Sequence, residues 1–462
     1  MFKTLRDAWH IPELRKKLMF TVIMLLLYRF GSVIPVPFVN VDAVGETMSA
    51  VMKNTILGLY DMMSGSALSQ ATILALGIQP YINASIIVQL LTVAIPALER
   101  MAKEEGEEGK KKLNNITRIT TVGLGLLLGF AYYTMINSYG LLTAKGFWPG
   151  LVIVLAFTAG SSLVMWMGEQ ITEHGIGNGI SMILFANIIA GLPSLLSSLL
   201  GLSWWLALIM TVILVALIVF VVFINDAERP IPIQYAKRVV GRKIYGGQST
   251  NLPIKVTMSG VMPVIFAQSI CSIPATIFAF TGAKPNEITG LTGNWWYDNV
   301  FRSTSVTYLI IYGLMIFFFS WFYSQIQYDP VEISNNLKKN GGFIPGFRPG
   351  KPTADFIKKV IGKIVIFGAV CLAIVAMLPM ICGAIGSAFV INAVELESAM
   401  ASMTGEALAN AQKTVETYML FGGLRDISIG GTSIIIIVGV ALETVKALEA
   451  QMLMRHYKGF LD

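Results

Sequence analysis

The side chains in this chain that could act on a substrate chemically are few and stand apart. The run Gly175-Ile176-Gly177-Asn178-Gly179 has the glycine spacing of a phosphate-cradling turn. No strand precedes it and no Lys-Ser/Thr pair follows, which argues against nucleotide binding. His174, just ahead of it, is one of three histidines and has no second ligand at metal spacing, so it reads as structural. Cys271, Cys371 and Cys382 all lie within apolar runs, placed neither for a loop disulfide nor for a metal site. Glu443 and Lys446 stand at i, i+3 in the last apolar stretch, a spacing that lets them pair on one helix face. Arg29 sits near the end of the first. No set of nucleophile, base and orienting partner falls within the apolar segments, and no acidic cluster sits where an ion-coupled transporter would need one. Neither a catalytic centre nor a cofactor or metal site is expected.

The chemistry left to the chain is that of its apolar segments. With 55% hydrophobic and 13% charged residues over 462 positions, it lies far from the soluble average of about a quarter charged and reads as a polytopic membrane protein. Arg15, Lys16 and Lys17 ahead of an apolar run resemble a secretory signal, but that run has full span length, no small-x-small site and many spans after it. Runs at about 18–38, 71–96, 116–137, 149–168, 179–199, 203–224, 257–281, 305–325, 360–382 and 431–454 predict ten crossings. Assigning loops to alternate sides, and counting Arg118 and Lys363 at the ends of spans three and nine with the loops they adjoin, gives one side 26 of the 34 lysines and arginines. The opposite side holds Lys53, Lys145, Lys284, Arg302, Lys413 and Arg425. By the positive-inside rule both termini are cytoplasmic. The same count supports the short fifth span, interrupted by Pro193. Without it the basic loops 98–115 and 229–255 would face opposite sides.

One segment breaks. From Ile56 to Ala97 the chain reads as a short apolar piece, Ile56 to Met63, then Ser64-Gly65-Ser66, then a piece from Ala71 onward long enough to cross. A short helix that enters, turns and leads into a span is tolerated only where protein or a water-filled cavity covers its free backbone groups. A cavity at membrane depth is therefore expected. Ahead of it, Pro35 and Pro37 end the first span.

Two cytoplasmic loops stand out. Residues 228–257 alternate Ile, Tyr and Val with basic residues before Gly246-Gly247, which fits a projecting hairpin. Residues 327–359 hold Gly and Pro at close intervals around Arg348 and read as an ordered, exposed loop. Each base near the surface contributes about 1 kcal/mol toward anionic lipid, but loops of this size exceed what orientation requires and favour docking a large cytoplasmic partner. The charged loop LERMAKEEGEEGKKKLNN after span two reads as a solvated turn or a partner contact.

The stretches YRFGSVIPVP, LGIQPYINASIIVQLL, GEQITEHGIGNGIS, YAKRVVGRKIYGGQSTNLPIKV, SGVMPVIFAQS, NLKKNGGFIPGFRPG and GGTSIIIIVGVALE occur in order along nearly the entire chain. Their sequence resembles that of the SecY family, the channel-forming subunits of the bacterial Sec protein translocon. The resemblance implies an all-α polytopic protein of the bacterial cytoplasmic membrane. Ten transmembrane helices would form two pseudo-symmetric halves of five, 1–200 and 201–462, around a central pore for unfolded polypeptide. The broken segment becomes a re-entrant plug helix from about Thr55 to Leu68, with Leu57, Leu59, Tyr60, Met62, Met63, Ser64 and Gly65 as its residues. The family's ring of apolar side chains at the waist falls on Ile78, Ile82, Ile180, Leu184, Ile265 and Ile436. Such a ring dewets when empty, yet adapts to any passing side chain. Spans two and seven flank a lateral opening to membrane lipid, where Asn83, Gln89 and Gln268 are placed to hydrogen-bond across the closed seam and to yield to an arriving signal sequence. Lys237, Arg238, Arg242, Lys243 and Arg348 fall at the docking sites for the SecA motor and the ribosome. SecE is implied as a clamp on the two halves, and SecG as a third component.

The chain departs from the family pattern between spans nine and ten. Residues 383–429 are much longer than the usual outer loop, and Met400, Met403, Ala407, Ala411 and Val415 recur at helical spacing within them. The competing reading is a secondary transporter, since broken helices and paired halves suit both classes.

Overall fold

The computed structural model describes residues 2–53, 57–103, 105–201, 203–235, 238–240, 243–245, 249–257, 260–280, 293–400, 406–422 and 431–458. The chain opens with α1 (Phe2–His10), α2 (Pro12–Gly31), α3 (Val41–Lys53) and the short α4 (Leu57–Ser64). It continues through α5 (Gln79–Ala94), α6 (Pro96–Lys103), α7 (Gly106–Ser138), α8 (Phe147–His174), α9 (Gly179–Ala190), α10 (Leu192–Leu200) and α11 (Trp204–Asp226). Four strands follow, β1 (Glu228–Tyr235), β2 (Arg238–Val240), β3 (Lys243–Tyr245) and β4 (Ser249–Lys255). Next come α12 (Met262–Phe280), α13 (Val306–Gln327), α14 (Pro330–Lys339), β5 (Gly342–Phe343), α15 (Lys351–Met400), α16 (Glu406–Gly422) and α17 (Gly431–Lys458). The ten expected crossings fall on α2, α5, α7, α8, α9 with α10, α11, α12, α13, α15 and α17. Among the described residues, five helices are long and apolar enough to cross a membrane unaided, and the α5–α6 pair makes a sixth.

Several expectations change in detail. Span two does not begin as helix at Ala71. Residues 65–78 form a succession of turns, with Ser66, Ala71 and Gly77 at φ of +67°, +46° and +52°, and α5 starts only at Gln79 with Pro80 in its first turn. The left-handed backbone at these positions is incompatible with helix, so the chain stays irregular until a proline with preset φ starts one. At the other end Ile95 is extended and Pro96 follows, so α6 leaves α5 at 106°. The plug helix α4 ends at Ser64 rather than near Leu68, Thr55 lying outside the described residues, and α3 precedes it.

The insertion 383–429 is not a loop. Span nine continues without a break as the 50-residue α15, which at 1.5 Å per residue is roughly 75 Å long, more than twice a bilayer core. α16 folds back along its far end, where Phe389 stacks on Phe421 at 5.2 Å and lies 5.6 Å from Tyr418, while Phe421 meets Trp205 of α11 edge-on at 5.8 Å. Met403 lies outside the described residues.

The two large loops expected on the cytoplasmic side are one unit. β1 pairs antiparallel with β4 on one edge and with β5 on the other, through Gln234 opposite Phe343 and Tyr235 opposite Gly342. The second loop, expected to be ordered and exposed, contains α14, β5 and the start of α15. Ile231, Ile233, Ile254, Leu337, Ile344, Ile357, Ile361 and Val365 close beneath the sheet as a separate small core. The main core lies at the centre of the helices, around the residues described next.

Candidate functional site

The six residues expected at the waist come from four helix starts or interiors. Ile78 is the residue immediately before α5 and Ile82 lies one turn in, so both face the same way. Asn178 caps α9, its Oδ1 accepting from the N–H groups of Ile180 and Ser181 at 3.0 and 3.3 Å, which fixes Ile180 and, one turn on, Leu184. Ile265 occupies the first turn of α12 and Ile436 the second turn of α17. Ile78, Ile82, Leu184, Ile265 and Ile436 are buried in one apolar cluster, and Ile180 packs half-buried against it. Gly168 of α8 lies beneath the ring. A methyl group there would touch Ile78 Cδ1 and Ile180 Cγ1, each at 3.6 Å. Six branched apolar side chains from four elements thus converge, and none of them offers a directional bond.

The plug residues lie against this cluster. Met63 is buried within it, and Met62 packs at its edge. Polar contacts hold the plug from two directions. Asn187 of α9 donates through Nδ2 to the Met63 carbonyl at 2.7 Å and to the Tyr28 hydroxyl at 2.8 Å, and Arg29 donates to the Gly65 carbonyl at 3.0 Å. From the other direction the Tyr60 hydroxyl meets Ser272 Oγ on α12. Gln79 and Gln268 donate to Met63 Sδ at 3.2 and 3.5 Å, and Ser433 donates to Met62 Sδ at 3.5 Å. Ser64 is buried and donates to the Asp61 carbonyl at 2.9 Å, while the Ser69 N–H donates to the Asp61 carboxylate at 2.7 Å, closing the turn on itself. Leu57 and Leu59 belong to α4.

Sequence reasoning did not single out Asn187, Tyr28, Ser272 or Ser433. Asn187 had a signal, being the one amide inside the apolar run ISMILFANIIAG, where a polar group at membrane depth calls for a partner. The expected bonds across the lateral seam differ from those present. Gln89 donates to Ser85 of its own helix at 3.3 Å, and Gln268 reaches the plug. Asn83 is half-buried on α5. Glu443 and Lys446 do not pair either. Lys446 reaches across to Asp226 at the end of α11, 2.7 Å away.

Of the expected docking residues, Lys237 and Arg242 lie outside the described residues. Arg238 and Lys243 belong to the β2–β3 hairpin, in register opposite Tyr245 and Val240. Arg348 is exposed in a turn tied at several points. Its carbonyl accepts from Thr353 Oγ1 at 2.8 Å, Ser334 donates to the Gly350 carbonyl at 2.8 Å, and Phe347 stacks on Phe356 at 4.2 Å.

The family model described as SecY matches residues 72–445. A curated protein translocase subunit SecY of Thermotoga maritima is 38% identical, with 100% of this chain and 98% of that protein aligned. One of Streptomyces lividans is 40% identical over 100% of both chains. Among solved structures, one described as a protein conducting channel superposes with a TM-score of 0.59 at 18% identity, covering 97% of each chain. Sec61 in a canine ribosome-channel complex from the endoplasmic reticulum superposes at 0.57 and 17% identity, again over 97% of each.

Proposed function

The chain belongs to the SecY family, and from that premise we propose how this waist and plug carry out protein conduction. The protein is a multi-span, protein-conducting channel of the membrane. Unfolded secretory polypeptide passes between Ile78, Ile82, Ile180, Leu184, Ile265 and Ile436, and transmembrane segments leave sideways between α5 and α12 into lipid. The observation that carries this reading is that plug residue Met63 shares one buried apolar cluster with five ring residues. The cluster seals because its side chains meet one another in the absence of a translocating chain. It conducts because none of them requires a specific partner. Residues 1–200 and 201–462 act as the two halves that separate, and the plug bridges them.

The setting is a bacterial cytoplasmic membrane with both termini in the cytoplasm, in accord with the side-by-side excess of lysine and arginine. The β1–β4–β5 sheet then faces the cytoplasm as a platform presenting the β2–β3 hairpin and Arg348. We assign it to SecA and to the ribosome, one relative in fold being found in a ribosome-channel complex. Basic groups contact ribosomal RNA through phosphate, which makes that binding steeply salt-dependent. SecE clamps the halves and SecG joins them. The channel has no catalytic role of its own, and energy comes from the motor or from translation. The transporter alternative has no observation in its favour, since all six ring side chains are apolar.

Reconstitution with the partner subunits and the SecA motor tests the reading. A signal-bearing precursor should become protease-protected inside the vesicles on addition of ATP, and Arg348→Glu should reduce that yield severalfold. No protected precursor with the wild-type complex would overturn the channel, and full yield with Arg348→Glu would remove Arg348 from motor coupling.

A further inference from the structure

Asn187 is the point where the plug backbone, α2 and α9 meet. It is fully buried, and its amide nitrogen lies 2.7 Å from the Met63 carbonyl and 2.8 Å from the Tyr28 hydroxyl. A backbone carbonyl can only accept, so the Nδ2 end must face the plug and both its hydrogens are committed. The Oδ1 end has no hydrogen-bond partner among the described residues. It lies 2.9 Å from where a side chain on Gly65 would begin, and Arg29 Nη1 lies 2.5 Å from the same point. Gly65, at φ +69°, is thus enclosed between an amide and a guanidinium that both address the turn after the plug helix. On the α12 side, by contrast, the contacts to the plug are one pair of hydroxyls and weak bonds to sulfur.

We propose that Asn187, supported by Tyr28 and Arg29, is a latch that sets how firmly the plug closes the waist and hence how apolar an arriving signal segment must be to open it. The inference rests on the channel reading above. The latch binds main chain, so apart from the glycine it requires at position 65 it is indifferent to the plug's side-chain sequence and sensitive to any shift of α9 against α2. Its donors are fully used while its acceptor is unmatched, so the closed state is held but incompletely satisfied. Displacing residues 63–65 breaks the two bonds that reach the plug main chain, Asn187 to Met63 and Arg29 to Gly65.

The test compares two precursors in vesicles containing the complete complex, one with its normal signal and one whose apolar signal core is shortened. With Asn187→Leu the export rate of the shortened relative to the normal precursor should rise about tenfold, the factor that losing a buried hydrogen bond of ordinary strength corresponds to. The resting ion flux should rise with it. Tyr28→Phe, which removes one of the two bonds and keeps the ring packed, should move both readouts the same way by a smaller factor and decides the matter if Asn187→Leu fails to accumulate in the membrane. Gly65→Ala should act like Asn187→Leu, since its methyl displaces both latch groups. Wild-type ratios and flux in these variants would overturn the latch. A wild-type complex that exports neither precursor would instead overturn the channel reading.

Discussion

The proposed waist and the sheet platform place the same residue types in opposite settings. At the waist, Ile78, Ile82, Leu184, Ile265 and Ile436 are buried among helices that share no ladder with one another, so the seal is held by non-directional packing. In the platform, Ile231, Ile233, Ile254 and Ile357 are also buried, but beneath strands locked in register from Glu228 opposite Lys255 to Gln234 opposite Ser249. On the proposed reading, a seal that must open for any sequence does without directional bonds, whereas a docking surface for a motor must not deform. The few directional bonds at the waist run to the plug, the part that has to be in one place or another.

Three variants sharpen that contrast. The largest effect is expected from Ile357→Ala, which empties a fully buried position in the platform core and should destabilise that unit by roughly 2–5 kcal/mol. Hydrogen exchange should show loss of protection at β1 and β4 with α5 and α9 unchanged. Equal loss in both regions would mean that the platform is not a separate unit. Next, replacing Ile82 and Ile436 together by glycine should raise the resting ion leak about tenfold, because a wider polar-backbone gap wets, while platform protection stays at its wild-type level. An unchanged leak would shift the seal from the ring to the plug alone. The smallest effect belongs to the junction of the two regions. Lys446 and Asp226 pair at 2.7 Å with side chains 43% and 52% exposed, so Lys446→Met should alter thermal stability by only about 0–1 kcal/mol.

What the sequence revealed follows the same division. The ring positions came only through the family resemblance, motif by motif, because a single isoleucine or leucine in an apolar helix carries no mark that separates a pore-facing side chain from a packed one. The crossings were legible from hydropathy, although the start of α5 was set seven or eight residues early, because the left-handed turns at Ala71 and Gly77 leave no mark in apolar content. Pairing between distant segments was not legible. Nothing local in residues 228–235 announces that their second edge is taken by Gly342 and Phe343. Lys446 likewise looked like a partner for Glu443 because spacing along one helix is visible, whereas the approach of α11 is not. In 383–429 the helical spacing of Ala407, Ala411 and Val415 was visible, yet the unbroken run of α15 from the membrane to Met400 was hidden by reading Gly383 as the start of a loop. Asn187 was passed over because one amide among ten apolar residues scarcely changes their hydropathy.

The central claim is that polypeptide passes through the ring. A single cysteine at position 82, with Cys271, Cys371 and Cys382 replaced, should crosslink to a precursor stalled in membranes with the motor present. Adducts at this position, together with none from cysteines on the lipid-facing side of α13, are the predicted result. Adducts from outward-facing controls alone, with none from position 82, would contradict it.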